Sequence, residues 1–404
     1  MSTSLLYHAF GIRGYTYVRT DFQSGQTIFT VRQEPKTCRC SACGSPQVLF
    51  RGRVERRFRS LPIGSRATFV VLPIPRVECQ VCKVVRQVEV PFAEARRTYT
   101  KTFERYALEL SRRMTIRGVA KHLGVGWDAI KDIQKRDLSR RYAKPKLKHL
   151  RRIAIDEIAV AKGHRYLTVV MDLESGAMVF VGDGKGADAL KPFWKRLRPS
   201  GAKIEAVAMD MSAAYRSAVS THLPAAKIVF DHFHVVKLFN EKLSDLRRAL
   251  HREATRVMHK DVLKGTRWLL LKNSENLDAK KDEKRRLEEA LQLNKPLATA
   301  YYMKEDLRRF WEQPGKRFAS TFLEGWIGRA QASGIKMLQQ MAKTLALHRS
   351  GLLTYYDVRI TSGPMEGTNN KIKTMKRQAY GFRDQEFFKL KILAIHESKY
   401  ELVG

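Results

Sequence analysis

Between Arg152 and Asp231 five short apolar runs follow one another in an order that few chains can fold around. Arg152-Ile153-Ala154-Ile155-Asp156 ends at a carboxylate, and two more β-rich runs, 165–173 and 177–181, follow it across a Ser175-Gly176 turn. Such runs bounded by turn residues read as strands, here a three-stranded meander. A helical run, 188–197, then precedes a fourth strand, 204–210, and another helix, 213–222, precedes a fifth, 227–231.

Three strands followed by alternating helix and strand is the order of a ribonuclease H-like domain, a mixed five-stranded sheet with helices. In that order the first and fourth strands are neighbours, so Asp156 and Asp210, each ending an apolar strand, come together. Taken singly, either aspartate is as readily a turn or cap residue. Paired, they suit phosphodiester chemistry, in which carboxylates from separate elements hold two hard cations about 3.5–4 Å apart. The third ligand belongs on a later helix. Ser362-Gly363-Pro364-Met365-Glu366 begins one, with Ser362 or Gly363 as its cap and Pro364 in its first turn. Glu366, Asn369, Asn370, Lys373 and Arg377 then share one face, a carboxylate followed by amides and cations. Such a face can hold a metal and grip phosphates; a solvated helix face has the same pattern.

Charge points to the partner. Lys and Arg number 76 against 40 Asp and Glu, a formal net charge of +36. So large an excess repels itself unless a polyanion accompanies it, and nucleic acid is the natural one. The first 150 residues carry 30 of the basic residues but only 11 of the acidic ones. No apolar run approaches the roughly 18 residues of a membrane span, and the N-terminus lacks a signal pattern. The expectation is a soluble, cytoplasmic, nucleoid-associated bacterial protein with no membrane partner.

Ahead of the sheet, 1–36 holds short β-like stretches that pair as a small sheet of their own. Cys40-x2-Cys43 and Cys79-x2-Cys82 follow, two knuckles separated by 35 residues. Each knuckle sets two thiolates on one side of a tight turn, and four complete a tetrahedral Zn2+ site. A β-hairpin built from 48–54 and 67–77 can span the gap. A reduced cytoplasm argues against disulfides. Cys38 is a spare thiol or a rival ligand, and the spacing favours Cys40.

Residues 103–142 carry apolar positions three and four apart, the helical period. Within them 114–130 has helix-turn-helix spacing: Ala120 lets two helices approach, Gly124 turns, and Ile130 fills the core from the second helix. That helix presents Asp128, Lys131 and Lys135 outward, and Lys121, Trp127, Lys131 and Lys135 are its candidate DNA contacts. A plain helical hairpin has the same spacing. Residues 144–152 read as a basic linker, and 235–346 as charged and helical. Asp231-His232-Phe233-His234 suits a metal site, a phosphate contact beside the active centre, or structural histidines equally.

These residues together resemble the zinc-finger-bearing DDE transposases of bacterial insertion sequences, the ISL-three family. The resemblance spans nearly the whole chain. It rests on the two knuckles, the helix-turn-helix, Ile155-Asp156-Glu157, Met209-Asp210-Met211 with Tyr215, Val229-Phe230-Asp231-His232-Phe233-His234-Val235, Glu366-Gly367-Thr368-Asn369-Asn370-Lys371-Ile372-Lys373, and Tyr380-Gly381-Phe382-Arg383. Two features depart from it: the extra thiol Cys38, and Asp384 where asparagine is expected.

The resemblance implies a ribonuclease H-like catalytic domain interrupted by an all-α insertion. That gives five segments: 1–95, β-rich with the zinc finger; 96–148, helix-turn-helix; 149–234, first catalytic part; 235–350, helical insertion; and 351–404, last catalytic part. It implies Mg2+, or Mn2+ in its place, at Asp156, Asp210 and Glu366, with Asp231, His232 and His234 around them. The partners implied are double-stranded DNA, as terminal inverted repeats and target, and further copies of the chain, as a dimer on paired ends. The expected reaction is two-metal hydrolysis at each element end, then joining of the 3′-hydroxyl to target DNA. Asn370, Lys373 and Arg377 are the expected backbone contacts there. Trp268 and the charges at 280–286 are available to DNA flanks or a second subunit. A DNA-binding repressor would need no carboxylate triad; a stand-alone nuclease on the same fold would cleave without joining.

Overall fold

A computed structural model describes residues 4–161, 165–230, 232–253, 266–292 and 294–396. The chain divides into two compact units, Met1–Arg141 and Tyr142–Leu402.

In the first unit β1 (Tyr15–Gln23) and β2 (Gln26–Gln33) form a hairpin, and β3 (Val48–Ile63) pairs antiparallel with β4 (Arg66–Cys79), which also carries β5 (Val85–Gln87). Two separate β-regions were the expectation. Instead β2 runs parallel to β4, giving one five-stranded sheet of order β1-β2-β4-β3 with β5 on β4. The physical reason lies in the pleat, which sends alternate residues to one face. Phe29 and Val31 of β2, Phe58 of β3, and Val70, Leu72 and Ile74 of β4 are all buried in one apolar cluster.

After a short helix near the N-terminus, α1 (Leu5–His8), the same unit holds α2 (Lys101–Ser111), α3 (Ile116–Leu123) and α4 (Trp127–Tyr142). Thr115 caps α3 by accepting from the Gly118 amide at 3.0 Å. Gly124 ends α3 at φ +61°, the left-handed conformation that favours glycine. Ala120 and Ile130 are buried with Phe103, Val119 and Ile133. The buried Arg59 of β3 joins the two parts of the unit: its guanidinium donates to the Thr68 carbonyl and to the Leu123 carbonyl at the end of α3, both at 3.0 Å. Those bonds satisfy a carbonyl that a helix end leaves without an intrahelical partner.

The second unit contains β6 (Arg152–Ala161), β7 (Arg165–Asp172), β8 (Met178–Asp183), β9 (Ala206–Met209) and β10 (Lys227–Phe230), with α5 (Lys191–Leu197) and α6 (Ala213–His222) among them. The sheet order is β10-β9-β6-β7-β8, antiparallel from β6 to β8 and parallel from β6 to β10. Its alternation is clean. Ile153, Ile155, Val207 and Met209 face a cluster with Phe193, Trp194 and Tyr215; Ala154, Ile158, Ala206 and Ala208 face another, with Met365, Ile372, Phe388 and Ile392.

Among the described residues ten further helices follow: α7 (His232–Glu253), α8 (Arg267–Leu271), α9 (Glu283–Gln292), α10 (Lys295–Arg308), α11 (Lys316–Ala332), α12 (Lys336–Leu347), α13 (Arg349–Leu353), α14 (Tyr355–Val358), α15 (Gly363–Gln378) and α16 (Gln385–Leu393). The stretch read as charged and helical has a substantial apolar interior. Phe239, Trp326 and Leu338 are fully buried, and the Trp326 indole donates to the Met303 carbonyl at 2.9 Å. The basic stretch read as a linker is also packed: Leu147 and Leu150 join the core, and the Pro145 carbonyl accepts from Arg196 at 2.9 Å. At Gly351 the backbone lies so close to the Phe230 ring that a Cβ there would stand 2.4 Å from it. Asp384 caps α16 by accepting from the Phe387 amide at 3.0 Å, a role aspartate fills as well as asparagine. No helix among the described residues is long and apolar enough to cross a membrane.

Candidate active site

The parallel pairing of β6 with β9 runs Arg152↔Ala206, Ile153↔Val207, Ala154↔Ala208, a constant offset of 54. Continued by two residues it sets Asp156 opposite Asp210. Asp156 lies on the pleat face of Ala154, the face that packs against α15 and α16, and Asp210 follows β9 directly.

Helix α15 meets β6 on that face. Asn369 is 6% exposed, and its amide nitrogen donates to one Asp156 carboxylate oxygen at 2.6 Å. The other Asp156 oxygen accepts from the Glu157 backbone amide at 2.7 Å and lies 3.6 Å from the His234 Nε2 atom. Asp210 accepts from the Ser212 amide at 3.0 Å, so it also serves the turn into α6. Burial pushes the Asp210 carboxyl up; the Ser212 amide and His234 pull it down, and the Asp156 charge pushes it up further.

A cavity of about 930 Å³ opens over Asp156 and His234, lined also by Trp311, Glu366, Asn369 and Lys373 among others. Glu366 is exposed in the first turn of α15, whose N-cap position is Ser362 without a side-chain cap bond. Asp210, Asn370 and Arg377 do not line the cavity; Asn370 and Arg377 are exposed. His232 does line it, with its ring 5.2 Å from that of Trp311. Asp231 lies outside the described residues. Among the described residues the three carboxylates are not gathered as closely as a bound ion would draw them; the one cluster of that kind is made of cysteines.

Those cysteines belong to the first unit. Pairing of Val48 with Cys79 closes the β3–β4 hairpin beside both knuckles. Cys40 Sγ stands 3.6 Å from Cys82 Sγ, and Cys43 Sγ 3.5 Å from Cys79 Sγ, with all four sulfurs within 4.8 Å of one another. A tetrahedral zinc with 2.3 Å bonds spaces its sulfurs roughly 3.8 Å apart, so the cluster fits structural zinc. Backbone amides of Cys82 and Val81 pull the Cys79 thiol down to about 6, which favours the ligating thiolate. Cys38 is buried in the apolar core, donating to the Glu34 carbonyl at 3.7 Å, and is not in the cluster.

In the helix-turn-helix Lys121, Trp127 and Asp128 are exposed, Trp127 at 47%. Lys131 and Lys135 are half-buried rather than fully outward, because Lys131 folds over the Trp127 ring at 5.5 Å. The residue that sequence reasoning undervalued is Asn369. Its only signal was its place three residues after Glu366.

Three family models match successive parts of the chain. Residues 153–392 match a family described as Transposase, 88–137 the helix-turn-helix domain of transposase family ISL3, and 36–82 the zinc-finger of transposase IS204/IS1001/IS1096/IS1165. The chain is 32% identical over 390 residues to a transposase for insertion sequence element IS1001 from Bordetella parapertussis, covering 95% of this chain and 96% of the relative. It is 29% identical over 375 residues to a transposase for IS1557 from Mycobacterium tuberculosis, covering 86% and 83%. Among solved structures, the Drosophila P element transposase strand transfer complex is similar over 64% of this chain and 79% of that one, with 12% identity and a TM-score of 0.36. With its zinc-finger, helix-turn-helix and transposase segments in sequence, the chain belongs to the ISL3 family of insertion-sequence transposases.

Proposed function

We propose that this transposase hydrolyses the phosphodiester at each end of its element and joins the freed 3′-hydroxyl to target DNA, using Asp156, Asp210 and Glu366 in a ribonuclease H-like catalytic domain. The observation that carries the reading is the tether between Asn369 and Asp156, which brings α15 to β6 across 213 positions of sequence. The strand order, three antiparallel then two parallel, supports the fold. Residues 149–234 and 351–404 form the catalytic domain, 235–350 a helical insertion, and 1–95 and 96–148 the zinc and helix-turn-helix segments.

The donor set suits a hard divalent cation, Mg2+ or Mn2+. Carboxylate and amide oxygens are its preferred ligands, burial and the nearby Asp156 charge both push the Asp210 carboxyl up, and the Asn369 Oδ1 atom is buried without a hydrogen-bond partner. Such ions, when bound, neutralise charge on the attacking and departing oxygens of an in-line displacement. Asp156, Asp210 and Glu366 would hold them. His234 faces both aspartates; His232, together with Asp231, belongs to the surrounding shell. Lys373 on the cavity wall and Asn370 and Arg377 on the exposed part of α15 contact the DNA backbone. Lys121, Trp127, Lys131 and Lys135 meet the terminal inverted repeats, and the chain acts as a dimer on paired ends.

The test uses purified full-length protein, Mg2+ and labelled DNA carrying the element ends. Nicks at the ends together with joined products are expected. Cleavage without joining would describe a nuclease, and binding with neither product a repressor; each would overturn the proposal.

A further inference from the structure

We infer that Asn369 is itself part of the cation site, fixing the Asp156 carboxylate through its amide nitrogen and presenting its carbonyl oxygen to the cation's coordination shell. The inference rests on the functional reading above and deepens it.

Three observations meet at this side chain. It is 94% buried, at the border between the α15 face that buries Met365, Thr368 and Ile372 and the exposed Glu366 and Lys373. Its nitrogen donates to Asp156 at 2.6 Å, and that bond determines which way round the amide lies. The reverse orientation would set a carbonyl oxygen against a carboxylate oxygen, two acceptors in contact. The Oδ1 atom is thereby left buried with no hydrogen-bond partner, an arrangement that native proteins seldom keep without a ligand or water to satisfy it.

Position supplies the ligand. Asn369 shares the cavity wall with Asp156, with Glu366 one turn before it and with Lys373 one turn after. An amide carbonyl is a neutral, hard oxygen of the kind that completes a Mg2+ or Mn2+ shell directly or through a bound water. Here neutrality matters. Asp156 lies within hydrogen-bond distance of the side chain at 369, and another carboxylate there would meet it charge against charge before any cation arrived. A helix pin alone would need only the amide nitrogen; the orphaned oxygen is what a pin leaves unexplained.

The experiment measures Mn2+ binding to full-length, DNA-free protein by the loss of the free-ion electron paramagnetic resonance signal, with thermal melting in parallel. Wild type is compared with Asn369→Ala, Asn369→Asp and Asp210→Ala. Asn369→Ala should bind Mn2+ about 10- to 100-fold more weakly, the usual effect of losing a group that supports a metal's ligands. Asn369→Asp keeps an oxygen and adds charge, so it should melt lower than wild type without Mn2+ and gain more from Mn2+ than wild type does. A purely structural asparagine would lower both melting temperatures and leave Mn2+ affinity unchanged, and that result would overturn the inference while the functional reading stands. Should Asn369→Ala not fold, Asn369→Asp decides: a Mn2+-induced gain no larger than wild type's is equally fatal. If wild type and Asp210→Ala bind Mn2+ alike, the cation reading fails and takes this inference with it.

Discussion

The cysteine cluster and the proposed carboxylate site are assembled in opposite ways. The four sulfurs stand at one end of a single hairpin, where the β3–β4 register and two backbone knuckles bring them within 4.8 Å of one another. The carboxylates proposed to act together come from β6, the residue after β9, and α15, three elements far apart in the sequence. One of them, Asp156, is held by an amide; Glu366 is exposed on the cavity wall. A local centre can be complete before its ion binds, whereas a centre gathered from distant elements is finished by the ion.

Mutations can break that contrast. The largest effect is expected from Cys43→Ser, which removes one of four zinc ligands. Structural zinc contributes on the order of 10 kcal/mol in comparable small domains. Zinc per chain should fall from one to zero and the first unit should melt, while the Mn2+ affinity of the second unit stays at the wild-type value. Unchanged zinc stoichiometry would remove Cys43 from the site.

Next comes Arg59→Met, which deletes the two bonds to the Thr68 and Leu123 carbonyls but keeps an apolar stem in the core. Bonds from a charged donor are worth about 1.5–3 kcal/mol each. A loss of roughly 2–4 kcal/mol is expected in urea unfolding of the first unit. A change below 0.5 kcal/mol would mean the helix-turn-helix is anchored elsewhere.

Asp384→Ala should cost about 1 kcal/mol, the usual value of a helix cap, and Asp384→Asn almost nothing. Equal losses in the two variants would show that the carboxylate charge, not the cap, matters. The smallest effect is that of Lys373→Ala. It should leave the melting temperature unchanged and reduce the salt-dependence slope of DNA binding by about one unit.

The same contrast explains what could be read from the sequence. The five strands of the second unit and both knuckles announce themselves through local pattern, since strand alternation and Cys-x2-Cys spacing are short-range signals. From strand order alone Asp156 and Asp210 become neighbours. Asn369 was legible only as one member of the polar face it shares with Glu366; that it is the buried member follows from the docking of α15 onto β6. The parallel contact of β2 with β4 depends on chain crossing that no local run encodes. Leu147 and Leu150 were masked by basic neighbours, because three lysines, two arginines, a histidine and a proline in the nine residues 144–152 outweigh two leucines in any composition window. Half-burial of Lys131 follows from its stacking over Trp127, a contact its spacing allowed but did not require.

The central claim is that three carboxylates from separate elements form one catalytic centre. Its most direct test is single-turnover cleavage of labelled end-containing DNA in Mg2+ by Asp156→Ala, Asp210→Ala and Glu366→Ala, with DNA binding and zinc content measured on the same samples. Losing a ligand to the catalytic ions removes several kcal/mol of charge stabilisation, so each variant should cleave about a thousandfold more slowly or not at all. Binding and zinc should match wild type throughout. If Glu366→Ala cleaves at the wild-type rate, α15 does not supply the third carboxylate and the account is wrong.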